Sequence, residues 1–293
     1  MARYKTEVAR ELQDRDADVR VLRRVEVPTG LTRRGADAVA GIGVVIDVET
    51  TSTDFDTDVV IEPAARRFAH DERHVITRID RLYPWQEDPK RRLSEKVVRI
   101  TGLVDDELMG KRIDEAEASR IVGSADVRIA HNAAFDRPFV ERRLPGTADM
   151  PWACSIQDIG WTELGFECAK LGWILTQCRF FHEAHRAAAD VHATIQIVQH
   201  EIVPEMTALN LLMTRAAANG WIVRAFGAAF DVKEVVRACR YRWNAVQEVW
   251  WKEVRDRVAE EAWLAENVYS YRAYPKARSA DFEPIDWRTR HGR

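Results

Sequence analysis

The chain has 293 residues, 46% of them hydrophobic and 31% charged, with a formal net charge of −3. That balance fits a globular protein with one main domain and a smaller second unit, since single domains usually run to roughly 100–200 residues. No run of about 18 apolar residues is present, which excludes a membrane-spanning helix. The charged opening "MARYKTEVARELQDRD" lacks the apolar centre of a secretory signal, so a cytoplasmic location is expected. Four cysteines (Cys154, Cys168, Cys178 and Cys239) stand without CxxC spacing, which argues against a zinc knuckle or a disulfide framework. Charge is uneven: residues 1–40 sum to +2, residues 41–214 to −9 and residues 215–293 to +4. A polyanion is repelled by such an acidic middle unless divalent cations neutralise it.

In chain order, "TEVARELQ" reads as a short amphipathic helix and "VRVLRRVEV" (Val19 to Val27) as a strand of period two. "GIGVVIDVETT" carries the uninterrupted apolar run of a buried central strand. "DTDVVIEPAARRFAH" and "VITRIDRLYPW" continue as an antiparallel meander, with Pro63 expected to mark an edge or a bulge. "SEKVVRITGLVDDEL" and "IDEAEASRIVGSA" have helical spacing. "VRIAHNAAF" is a short strand running into the helix "AFDRPFVERRL", for which Asn132 is the expected cap. "PWACSIQDI" is a further strand candidate, and "LGWILTQCRFF", "AADVHATIQIVQHEI" and "PEMTALNLLMTRAAANG" are helices, the last ending on Asn-Gly. Strands first and then alternating helices and strands imply an α/β fold with a mixed sheet. Beyond Gly220 the chain turns rich in Trp and Arg, with six of the ten tryptophans, and a small α+β module is expected there. The expected division is an extension over 1–40, a main domain over 41–215, the small module over 220–273 and a loose tail over 274–293.

In "IDVET", Asp47 and Glu49 lie two apart on a strand, so both carboxylates emerge on one face about 7 Å apart. Burying both is costly unless a cation sits between them; a strand end that reaches solvent is the plainer alternative. Asp136 falls in the opening turn of its helix, where the helix dipole alone favours an acid. In "HEAHRAAADVH", Asp190 begins a helix and His185 precedes it by five residues, a spacing that cannot share a helix face. His185 therefore belongs to the loop leading into the helix. His131 and His182 are not expected to be ligands, Glu183, His182 and His192 take surface or packing roles, and Cys168, Cys178 and His182 lack the paired spacing of a zinc site.

Together, "DVETT", "HNAAFD" and "HRAAAD" set Asp, Glu, Asp and Asp in order with a histidine five before the last. Over Gly41 to Glu201 this resembles the DEDDh exonucleases of the DnaQ-like superfamily, the group that contains the proofreading epsilon subunit of bacterial DNA polymerase III. "RITGLVDDELMGKRID" looks like that family's Thr-Gly segment. The resemblance implies an RNase H-like fold, a mixed five-stranded sheet flanked by helices. It implies Asp47, Glu49, Asp136 and Asp190 as ligands of two Mg²⁺ or Mn²⁺ ions and His185 as general base. It also implies that Thr50, Thr101, Gly102 and Phe135 contact the terminal nucleotide, although Phe135 serves equally as core and Thr-Gly as a helix end. The implied reaction is 3′–5′ hydrolysis of nucleic acid to nucleoside 5′-monophosphates, with DNA expected ahead of RNA.

The implied partners are single-stranded or 3′-ended nucleic acid and a polymerase or other DNA-processing protein, with no membrane. The alternative is a nucleic-acid-binding or polymerase-associated scaffold with a vestigial site. Two departures from the family stand out: Ser52 where the first motif usually has glycine, and Pro63 where an apolar residue is usual. The terminal "AAFDVKEVVRACRYRW" resembles a small domain of the same exonuclease branch, with Arg240 in place of glycine. Arg237, Arg240, Tyr241, Arg242 and Trp243 interleave cations with aromatics, as a nucleic-acid surface does, or else supply the module's own core.

Overall fold

The computed structural model describes residues 19–228, 230–270 and 280–292. The expected helix "TEVARELQ" lies outside these residues. Two compact units divide the chain, Met1–Ala216 with His291–Arg293, and Ala217–Arg290.

In the first unit the strands are β1 (Arg23–Arg24), β2 (Gly30–Leu31), β3 (Gly41–Thr50), β4 (Val60–His70), β5 (Ile76–Pro84), β6 (Val127–Ala130), β7 (Trp152–Cys154) and β8 (Phe180–Phe181). The main sheet has the order β2-β5-β4-β3-β6-β7. The pairs β3–β4 and β4–β5 are antiparallel, whereas β3–β6 and β6–β7 are parallel. This is the expected mixed five-stranded sheet with the two-residue β2 added at one edge. The predicted strand over Val19 to Val27 shrinks to β1, whose one sheet partner among the described residues is the equally short β8. Alternation alone did not supply it with a longer neighbour.

Strand β3 is central to the sheet, and Val44, Val45, Ile46 and Val48 along it are all buried. Each such side chain contributes roughly 1.5–3 kcal/mol on full burial. Val44, Ile46 and Val48 share one face and pack with Ile121, Val122, Phe139 and Val140 from the helices Glu115–Gly123 and Ala133–Arg143. The other face carries Val45, Asp47 and Glu49, and the helix Ala187–Val198 crosses β3 and β4. Pro63 is not on an edge: it sits inside β4 opposite Val48, and its carbonyl accepts the Trp85 N–H at 2.9 Å. The irregularity in the β3–β4 ladder falls nearby, between Glu49 and Thr50.

Three further corrections concern element ends. Asn132 occupies the N-cap position but its side chain makes no capping hydrogen bond, and its carbonyl receives the Phe135 and Asp136 amides instead. The helix expected to reach Ile202 stops at Val198, and Glu201–Val203 pairs with Met206–Thr207 as a short hairpin, β9 and β10. In the second unit, part of the expected loose tail forms a strand.

That unit holds β11 (Gly220–Ala225), β12 (Arg242–Asn244), β13 (Val249–Val254) and β14 (Asp281–Ile285) in the antiparallel order β12-β13-β11-β14, with helices Lys233–Ala238 and Arg257–Asn267. Its core includes Val223, Ala225, Val236, Tyr241, Trp250 and Leu264. Tyr241 is therefore packing, its hydroxyl donating to Glu260 at 2.7 Å, while Trp243 lies half exposed against Trp250 at 5.3 Å. Tyr241 thus serves the module's own core, as the second reading has it.

The close seat of β3 on β4 depends on Gly43. A Cβ built there lies 2.3 Å from Cζ of Phe68, the residue opposite it, whose ring is itself buried. The substitution Gly43→Ala is expected to cost about 1–3 kcal/mol, as overpacked cores do, read as a lower midpoint in denaturant unfolding. An unchanged midpoint would show that the ring yields freely.

Candidate active site

The parallel partner β6 stays with β3 only from Gly43↔Val127 to Val45↔Ile129. Beyond that point the strands part, and the Val48 N–H, left without a ladder partner on that side, donates to Oδ1 of Asp136 at 3.1 Å. Strand parting thus brings the first turn of the Ala133–Arg143 helix against the end of β3. On the other face, Oδ2 of Asp190 accepts the backbone N–H of His185 at 2.8 Å and of Arg186 at 3.2 Å.

These bonds explain how the Ala187–Val198 helix starts. Its N-cap is Arg186, whose side chain cannot cap, so the carboxylate four residues on reaches back, in the manner of the acidic member of a capping box. The next free amide, Ala187 N–H, is taken at 3.1 Å by Glu62 of β4. Glu62 is opposite Glu49 in the ladder and also holds Arg186, with Nη2 to Oε1 at 2.7 Å and Nε to Oε2 at 3.0 Å. His185 sits in this turn with φ 65, a left-handed conformation that histidine tolerates better than most residues.

Ligand oxygens of Asp47, Glu49 and Asp190 lie within 4.8 Å of one another, and all three acids line a cavity of about 610 Å³. Asp136, Thr50, Thr101, Phe135 and His185 line the same cavity, so the structure brings these sequence-selected residues to one place. Gly102 is not among the lining residues; it closes the helix Glu95–Thr101 at φ 72. The Thr101 hydroxyl donates to Val97 O and accepts from Leu103 N, so it too has a part in ending that helix. The Phe135 ring lines the cavity and also packs on Phe139 at 5.2 Å.

Ser52, in the place of the usual glycine, lines the cavity with Thr53. Their loop is fixed instead around Asp58, which accepts from the Thr51 hydroxyl and the Asp54 amide at 2.8 Å each and pairs with Arg91 at 2.9 Å.

Sequence reasoning missed four participants. Lys96 and Lys170 are exposed on the cavity wall and place cations above an acidic floor. His131 is neutral, pushed down to about 4 by burial, and bridges Ser155 Oγ at 2.7 Å and Ala169 O at 2.9 Å. His182, assigned to packing or surface, lies in the cavity wall with Nε2 2.9 Å from Oδ1 of Asp190. His192 does keep to packing: its Nε2 meets Arg66 Nη1 at 2.7 Å on the far side of the helix. Nothing in the spacing distinguishes His182 from His192; only the turn of the chain after β8 does.

The floor is a concentration of like charge. Burial, then the neighbouring Asp136, Asp190, Glu49 and Glu62, raises Asp47 well above the usual carboxylate range. Burial, then Asp190, Glu62 and Asp136, push Glu49 up to about 8, with Arg186 the opposing influence. Asp136 is pushed up to about 7 by burial, against the bond from Val48. Asp47 and Glu49 keep part of their surface open to the cavity, so a cation can reach them. Hard oxygen donors on a floor short of positive charge fit a divalent ion such as Mg²⁺ or Mn²⁺.

The profile of the exonuclease family RNase_T matches residues 44–198, more than half of the chain and the whole span from β3 to the Asp190 helix. The chain belongs to the exonuclease family. This DnaQ-like exonuclease is 33% identical over 183 residues to a DNA polymerase III of PolC type from Staphylococcus aureus, a stretch covering 58% of this chain and 12% of that relative. It therefore matches a small part of a much longer protein. Among solved structures, exonuclease I, described in terms of how processivity is achieved, superposes with a TM-score of 0.50 at 17% identity, covering 85% of this chain and 63% of that one. Escherichia coli exonuclease I with a dA16 oligonucleotide gives a TM-score of 0.49 at 17% identity, covering 85% and 64%. At such identity the likeness to the first of these speaks for the fold alone, which is RNase H-like.

The raised carboxyls carry a sign for stability. A carboxyl such as Glu49, at about 8 in the fold against an ordinary 4.5, stabilises the fold while protonated. That contribution is complete at acid pH and is lost as pH climbs towards the folded value. The metal-free exonuclease is therefore expected to melt at a lower temperature at about pH 8 than at about pH 5.5, with Mg²⁺ or Mn²⁺ raising the melting point more at the higher pH. Melting scans in chelator and in metal at both pH values test this; a metal effect equal at both would contradict it.

Proposed function

We propose that this exonuclease is metal-dependent and removes nucleotides from the 3′ end of nucleic acid as nucleoside 5′-monophosphates, acting on DNA ahead of RNA. The observation that carries the reading is the convergence of Asp47, Glu49 and Asp190 within 4.8 Å, beside Asp136 and His185, on one cavity. Asp47, Glu49, Asp136 and Asp190 are the residues that hold two Mg²⁺ or Mn²⁺ ions. When bound, these ions polarise the scissile phosphate, lower the pKa of an attacking water and stabilise the leaving oxygen.

His185 is the general base. It accepts a proton from the water as the new O–P bond forms, the P–O3′ bond breaks and the 3′ oxygen leaves to be protonated by solvent. Histidine suits this task because its ordinary pKa lies near neutrality. Its exposure on the cavity rim and its left-handed turn support a base that reaches over the floor from a loop. Phe135 offers a ring face for the terminal base, and Lys96 and Lys170 offer cations to the flanking phosphates. DNA as the polymer follows the name of the PolC-type relative. A polymerase or other DNA-processing protein is the proposed partner on the same ground. A vestigial scaffold is disfavoured because it would keep the electrostatic cost of four clustered acids with no cation to offset it.

Digestion of 5′-labelled single-stranded DNA, duplex DNA and RNA in Mg²⁺ and in Mn²⁺ tests the reading. A ladder of shortened products is expected, with Asp47→Ala inactive and His185→Ala slower by about 10²–10⁴-fold. An Asp47→Ala variant that digests like the parent would refute the assignment, as would 3′-labelled substrate releasing its label last.

A further inference from the structure

We propose that His182 is a positioning residue for the metal centre, holding the Asp190 carboxylate in the orientation that ligates a divalent cation. The inference rests on the metal-dependent reading above and assigns a role to a residue outside the five that the family motifs supply.

The two oxygens of Asp190 have separate tasks. Oδ2 is committed to its own chain through the amides of His185 and Arg186, at 2.8 and 3.2 Å. Oδ1 meets Nε2 of His182 at 2.9 Å. An ionised carboxylate only accepts, so Nε2 carries the hydrogen and donates. Each carboxylate oxygen offers about two lone-pair directions, so with these bonds made the Asp190 carboxylate, an oxygen of which lies within 4.8 Å of ligand oxygens of Asp47 and Glu49, still has a direction to offer a cation. With Oδ2 tied behind and His182 bonded at the side, rotation of the carboxylate about its own axis is arrested.

His182 is itself well anchored. Its side chain is 6% exposed, and the residue before it, Phe181, pairs with Arg24 and accepts the Val25 N–H at 2.9 Å. Cε1 of the ring lies 3.9 Å from the place a Cβ would take at Gly172, in the first turn of the Leu171–Gln177 helix. A ring held by backbone pairing on one side and a helix turn on the other is a rigid donor. Partners of this kind, one bond removed from a metal, orient the ligand, and their loss typically costs about 10–100-fold in metal affinity.

Isothermal titration of Mn²⁺ into the full-length, chelator-stripped protein tests the role with three variants. His182→Phe keeps a ring and removes the donor; His182→Gln keeps a donor and removes the ring; Asp190→Ala removes the ligand. The expected result is Mn²⁺ binding weakened about 10–100-fold by His182→Phe, largely retained by His182→Gln and lost in Asp190→Ala. Parental affinity in His182→Phe, or equal weakening in both His182 variants, would overturn the proposal, because the donor would then not be what matters. Asp190→Ala keeps the two readings apart. If it binds Mn²⁺ like the parent, the metal centre itself is misassigned; if it alone loses binding, His182 fails and the centre stands. Melting of the metal-free variants near the parental temperature establishes that each is folded.

Discussion

The structure turns on a repulsion. Asp47, Glu49, Glu62, Asp136 and Asp190 converge where β3 ends, and Arg186 is the cation that acts against the rise of Glu49. Acids so placed either take up protons or are joined by a cation. The surrounding architecture makes that crowding possible. The parting of β6 from β3 frees the amide that holds Asp136, and the apolar face of β3 packs on the helix that carries it. Glu62 enters from the neighbouring strand and spends its own charge on Arg186 and the start of the opposite helix. A fold optimised for stability alone would replace such a floor with apolar side chains.

Asp190 shows how tightly structure and chemistry share atoms here. The same carboxylate that faces Asp47 and Glu49 closes the turn containing His185 and satisfies amides that the helix start leaves without partners. His185 and Asp190 are thereby placed relative to each other by two hydrogen bonds rather than by the packing of distant elements. A spacing of five residues, which no helix face accommodates, becomes the length of chain needed for a carboxylate to reach back over one left-handed residue.

Much of this was legible in the sequence where one local pattern and one family pattern agreed. The apolar run of β3 marks a central strand whatever follows it, and the order Asp47, Glu49, Asp136, His185, Asp190 carries the site through its resemblance. What stayed hidden depends on long-range placement. His182 precedes the helix that contains His192, yet the first reaches the cavity and the second Arg66, because the chain bends after Phe181. Asn132 has the right identity for a cap but the wrong backbone, with φ −134 and ψ 67. Asp281–Ile285 looks like tail in composition; its strand character comes from the free edge of β11, which residues some sixty positions earlier provide. Of the two expectations for Pro63 the edge fails, since β4 is interior, whereas the ladder does slip beside it, at Glu49/Thr50.

The bond between Arg66 and His192 has a bearing on the far side of the molecule. Arg66 is buried and also grips Val27 O, Thr29 Oγ1 and Asp80 O, so it cannot withdraw. The imidazole must accept from it, which fixes His192 as the neutral tautomer with its hydrogen on Nδ1. Burial, with Arg66 beside it, holds its pKa down to about 4. Below that value the ring gains a second N–H aimed at a guanidinium, and an anchor becomes a wedge under the helix that bears Asp190. Protonation of His192 thus works against the seat of that helix on β4, where Arg66 lies.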